Sequence, residues 1–151
     1  MRNAFAEAVT EIADENPELI MLAGDIGNRL FNNFKKKHPL RFYNCGVAEA
    51  GMTGIAAGLA STGLQPITYT ITPFNTLRCL EQIRLDVCYP DLPVIIVGTG
   101  SGVAYANLGP THHSMEDIFV LRSLPNMHVI CPADTIEVKL AVAEALPLKR
   151  P

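Results

Sequence analysis

Short, wholly apolar runs alternate along this chain with stretches of helical periodicity, and few architectures can bury such a pattern. The run Leu19-Ile20-Met21-Leu22-Ala23 has no polar face. A strand of that kind must be covered on both sides, as strands of a parallel sheet are. Pro66 to Thr70 and Pro93 to Thr99 read the same way, and Arg41 to Asn44 supplies a shorter strand. Between them Phe5, Ala8, Val9 and Ile12 recur at helical spacing until Asn16-Pro17 ends the pattern, and Val47 to Ala60 and Asn75 to Cys88 continue the alternation as helices. Ser114-Met115-Glu116-Asp117 has the form of a helix cap, Met127 to Ile130 reads as a last strand, and Asp134 caps a closing helix with Val138, Ala141, Val142 and Ala145 on one face. The expectation is an α/β domain with a mainly parallel sheet and helices on both faces.

The chain has 151 residues, 48% of them hydrophobic, which suits one domain over 1–151. Pro147 to Pro151 stops just past a helix and reads as the boundary of a domain trimmed from a longer chain or subunit. A net charge of −3 supplies no field for nucleic acid or an anionic membrane. The one basic run, Lys35-Lys36-Lys37-His38, reads as a solvated helix end. Cys45, Cys79, Cys88 and Cys131 lack the spacing of a zinc site or disulfide scaffold, so reduced thiols in a cytoplasmic protein are expected. No residue set here reads as a metal site.

In open α/β sheets ligands sit beyond the carboxyl ends of the strands, which directs attention to Asp25, Glu49, Phe74 and the loop from Gly100 to His113. Glu49 opens a helix with two faces. Met52, Ile55, Ala56 and Leu59 make an apolar stripe, and Gly51, Gly54 and Gly58 make a second one without side chains. Each glycine costs an interior helix about 1 kcal/mol relative to Ala, so something is expected to pack close against that backbone. Taken alone, Glu49 could be a first-turn carboxylate favoured by the helix dipole, Phe74 plain core, Asp25 a turn residue, and His112 a surface histidine.

The segment from Asn44 to Ala60, together with Gly109-Pro110-Thr111-His112, resembles the pyrimidine-binding domain of transketolase-like enzymes. The resemblance runs from Arg2 to about Glu144 and implies the thiamine-diphosphate-binding fold. It implies that Glu49 bonds a ring nitrogen of the cofactor's aminopyrimidine and so activates the thiazolium carbon, that Phe74 stacks on the pyrimidine, and that Asp25 lies near the cofactor. His112 would reach the substrate, and Arg2 matches an arginine that binds a substrate phosphate. Gly24-Asp25-Ile26 is not the family's magnesium-binding Gly-Asp-Gly, so diphosphate and Mg²⁺ would be held by a partner domain or subunit, in a homo-dimer or hetero-oligomer.

The implied reaction is ketol transfer between sugars. Alternatives are a subunit of a 2-oxo acid decarboxylase or dehydrogenase, a deoxyxylulose-phosphate-synthase-like enzyme, and a non-catalytic regulatory paralogue. Two positions depart from the transketolase pattern. Leu108 stands where an aspartate reads a sugar hydroxyl, and Gly100 stands where a histidine binds phosphate. They imply a less phosphorylated, branched or otherwise modified sugar.

Overall fold

A computed structural model describes residues 1–151. Four parallel strands form its sheet: β1 (Leu19–Ala23), β2 (Phe42–Asn44), β3 (Gln65–Ile71) and β4 (Ile95–Thr99), in the order β2-β1-β3-β4. Every residue of β1 is buried, as its unbroken apolar run requires. The register aligns the carboxyl ends: Ala23 stands opposite both Asn44 and Tyr69, and Ile71 opposite Thr99. Loops leaving the four strands therefore share one rim. The chain steps from β1 outward to β2, then returns past β1 to β3, so the direction of winding reverses between β1 and β3. That reversal opens a crevice at the rim, the usual ligand position in such sheets.

Helices cover both faces. On one, α1 (Arg2–Glu15) and α7 (Thr135–Leu148) pack Phe5, Val9, Val138, Val142 and Leu146 against Leu19, Met21, Ile67 and Tyr69. Phe31, just before α2 (Asn32–Lys37), joins this core edge-on to Tyr69, with ring centroids 5.0 Å apart. On the other face α3 (Glu49–Ser61) lays Met52, Ala56, Ala57 and Ala60 on Ile20 and Leu22. The helical stretch expected over Asn75 to Cys88 is present but segmented. It begins earlier, as α4 (Thr72–Asn75), tightens to a 3₁₀ turn at Leu77–Cys79, passes through α5 (Leu80–Gln82) and ends in a π-helical turn at Ile83–Cys88.

Local signals at the ends of the helices hold unevenly. Asp134 accepts from the backbone N–H of Ile136 and Glu137, while Glu137 accepts from Ala133 N–H at 2.7 Å, a reciprocal cap that starts α7 where expected. Ser114 caps nothing. Its hydroxyl is buried without a partner, and α6 (Asp117–Arg122) starts at Asp117, whose carboxylate instead accepts from Ser101 at 2.8 Å. The basic run does close α2: Lys37 pairs with Asp14 at 2.6 Å, holding that carboxyl below its ordinary range.

Three expectations need correction. Met127 to Ile130 is not a strand: an apolar cavity of about 750 Å³, lined by Ile95, Val97, Val129, Ile130 and Val142, lies between it and β4. A ladder needs strands about 4.7–4.9 Å apart, and the cavity takes that space. Ile55 does not belong to the buried stripe of α3; it is 53% exposed, because it points away from the sheet that Met52 and Ala56 cover. On the same outward side, a Cβ placed on Gly51, Gly54 or Gly58 would meet no atom within 4 Å, so no part of this chain makes the expected close approach.

Candidate functional site

The site lies at the β1/β3 crevice, and glycine makes room for it. A Cβ at Gly24, directly after β1, would stand 3.0 Å from Thr70 Cβ and 3.4 Å from Glu49 Cγ. The carboxylate of Glu49, first residue of α3, is thus seated over the strand ends and is only 3% exposed. Thr53 reinforces the helix start by donating its hydroxyl to Glu49 C=O at 3.0 Å.

A buried carboxylate costs several kcal/mol unless paired. Arg78, in the 3₁₀ turn after α4, supplies the partner: its Nη1 donates to Glu49 Oε2 at 2.8 Å. The same guanidinium lies over the ring of Phe74, with Cζ 4.0 Å from the centroid. Phe74 in turn meets His112 edge-on, ring centroids 5.0 Å apart at 70°, and Tyr105 lies 6.1 Å beyond His112. Beneath them Cys79 donates its thiol to Phe74 C=O at 3.1 Å, and burial pushes that thiol above its ordinary range.

The loop that carries His112 is closed at its base by paired backbone bonds between Gly102 and Ser114, 3.0 and 2.9 Å. Gly100 has φ +73°, and a Cβ there would fall 2.1 Å from the Tyr105 ring. Tyr105 therefore takes the room a histidine at position 100 would need. Leu108 ends the 3₁₀ turn Ala106–Leu108 and is 50% exposed. His113 points elsewhere, its Nε2 3.3 Å from Ala106 C=O.

Of the residues singled out in the sequence, the structure brings together Glu49, Phe74 and His112 through Arg78. Asp25 is the turn residue after Gly24, with φ +53°; its N–H donates to Asn44 Oδ1 at 3.1 Å and its carboxylate accepts from Asn44 Nδ2. Arg2 opens α1 and, with Gly100, borders the large apolar cavity rather than the Glu49 pocket. Arg78 was not among the residues singled out. Its signal was a lone cation four positions after Phe74, within Thr76-Leu77-Arg78-Cys79-Leu80, where a helical turn directs both side chains the same way. No three His, Cys, Asp or Glu side chains gather into a metal-binding set, and no helix is long and apolar enough to cross a membrane.

Residues 1–151 match the family described as "Transketolase, pyrimidine binding domain" along their whole length. The chain belongs to that family, and its sheet and helices have the thiamine-diphosphate-binding fold of the transketolases. A subunit of the apulose-4-phosphate transketolase of Phocaeicola vulgatus is 36% identical over 142 residues, covering 93% of this chain and 46% of its own. The 6-deoxy-6-sulfo-D-fructose transketolase subunit of a Clostridium species is 34% identical over 147 residues, 97% of this chain and 46% of its own. A split-gene transketolase, solved as an inactive beta4 tetramer, superposes with a TM-score of 0.87 at 36% identity, covering 99% of this chain and 48% of that one. The chain thus spans about half the length of these relatives.

Proposed function

We propose that this chain is the pyrimidine-binding part of a thiamine-diphosphate-dependent, ketol-transferring enzyme acting on sugars, completed by a domain or subunit that binds the diphosphate and Mg²⁺. The observation that carries this reading is the buried Glu49 carboxylate facing a flat, nitrogen-bearing cation stacked on Phe74. The guanidinium stands in for an aminopyrimidine: each is planar, presents an in-plane nitrogen to the carboxyl group, and lies against an aromatic face. These residues fit that half of the cofactor, and family membership implies dependence on it.

When bound, thiamine diphosphate supplies a nucleophilic carbon that cleaves and forms bonds beside a ketone. The chain's own residues do the rest. Glu49, held dry against Gly24 and Thr70, keeps a charge where a proton on the pyrimidine ring can answer it, an interaction that strengthens as water is excluded. Phe74 fixes the plane of the ring. His112, edge-on to Phe74, is placed to bond a substrate hydroxyl or pass a proton. Asp25 braces the rim through Asn44 and so holds the turn beside the cofactor.

The acceptor proposed is a branched, deoxy or otherwise modified sugar. Leu108 offers no acceptor to a hydroxyl, and Gly100 offers no cation to a phosphate. The Phocaeicola and Clostridium relatives carry unusual sugars in their names, apulose 4-phosphate and 6-deoxy-6-sulfofructose, which supports this choice. Arg2 remains the candidate phosphate ligand of this chain, by resemblance.

Reconstitution tests the whole reading. The purified 151-residue chain, given cofactor, Mg²⁺ and sugars, should show no ketol transfer, and activity should appear on adding a transketolase-type diphosphate-binding subunit. The inactive beta4 relative supports that expectation. Steady turnover by the chain alone would overturn it.

A further inference from the structure

A single side chain makes both contacts that the proposed function assigns to the aminopyrimidine. Arg78 donates to Glu49 Oε2 at 2.8 Å and lies 4.0 Å above the centre of the Phe74 ring. Carbon atoms in contact sit about 3.5–4.0 Å apart, so a second flat group cannot share that face. The edge of His112, 5.0 Å from the Phe74 centroid, takes another part of the ring. We propose that Arg78 competes with the aminopyrimidine of thiamine diphosphate for Glu49 and Phe74, and swings out to solvent when the cofactor binds. This rests on reading those two residues as the cofactor's partners.

Three features make Arg78 the mobile member. Its side chain is 44% exposed while that of Glu49 is 3% exposed, so one can leave and the other cannot. Glu49 is its only hydrogen-bond partner, and apart from that bond it is held only by the face of Phe74. The 3₁₀ turn that carries it, Leu77–Cys79, stands between two short α-helical pieces and is anchored through buried Cys79 rather than through the arginine. With the guanidinium in place the buried carboxylate is never without a counter-charge, and the pocket keeps its shape. The consequence is a toll on affinity: apparent Kd rises by the inverse of the fraction of time the pocket is open.

The test follows arginine and phenylalanine side-chain resonances of this chain, reconstituted with a transketolase-type diphosphate-binding subunit, while thiamine diphosphate with Mg²⁺ is added to millimolar concentration. In the wild type, the Arg78 guanidinium signals, shifted by the Phe74 ring, should move to those of a solvated arginine as the Phe74 signals change. Arg78→Met should bind the cofactor about tenfold more tightly if arginine holds the pocket nine-tenths of the time. Arg78→Lys keeps a charge beside Glu49 but lacks the flat face, and should fall between them; it also covers the case that Arg78→Met does not fold. Competition is overturned if Phe74 responds while the Arg78 signals stay fixed, or if removing the guanidinium leaves affinity equal or weaker. If Phe74 responds in no variant, the assignment of the pocket to the pyrimidine fails as well.

Discussion

The Glu49 pocket and the Gly100–His113 loop meet at one contact, Phe74 against His112, yet they are built on opposite principles. The pocket is a product of strand register. Gly24 directly follows β1, Thr70 and Glu49 come from β3 and α3, and each limits where the others can be, so a change in one is felt by the whole crevice. The loop instead closes on itself through the Gly102–Ser114 bridge and the Ser101–Asp117 bond, and exposes Leu108. A position that touches little can change without cost to the fold. On the proposed function the pocket therefore holds the cofactor chemistry, and the loop sets which sugar is accepted.

The sharpest way to break this comparison is Glu49→Gln. The amide keeps the shape and can still hydrogen-bond, but it carries no charge, and loss of one preorganised electrostatic contact costs about 10²–10³-fold in turnover. Hydrogen–deuterium exchange at the thiazolium carbon of the reconstituted enzyme should fall accordingly, with thermal unfolding little changed. Exchange at the wild-type rate would remove Glu49 from its role. A smaller effect is expected in the loop. Leu108→Asp should shift the ratio of kcat/KM toward the ordinary pentose phosphate pair by about 10–150-fold, what one hydrogen bond to a charged group is worth, while leaving the exchange rate untouched. An unchanged ratio would mean that the loop does not choose the sugar. The smallest effect concerns stability alone. Gly100→Ala places a side chain at φ +73° and drives Tyr105 aside, so the left-handed backbone should cost about 1–2 kcal/mol, read as a lower midpoint in urea. A midpoint that does not move would show that Tyr105 yields freely and that glycine is not required there.

The strands β1, β3 and β4, the α7 cap at Asp134 and the place of Glu49 just after a strand were all legible in the chain, because each is written locally: an apolar run, a capping pair, a residue following a strand end. What was not legible depended on neighbours. Periodicity marks Ile55 as apolar but not which side of α3 the sheet covers. Met127 to Ile130 has the composition of a strand, yet a strand exists only where another lies at hydrogen-bonding distance, and here a cavity intervenes. Gly100 reads as a missing histidine until Tyr105 is seen in the space. Arg78 reads as one more cation until register and the turn after α4 deliver it to Glu49 and Phe74. By itself the sequence determined which segments form elements and which residues stand at the rim, since backbone preference and apolar pattern are properties of a segment. Only the tertiary structure decided which rim residues touch, because contact, burial and pairing belong to two segments at once.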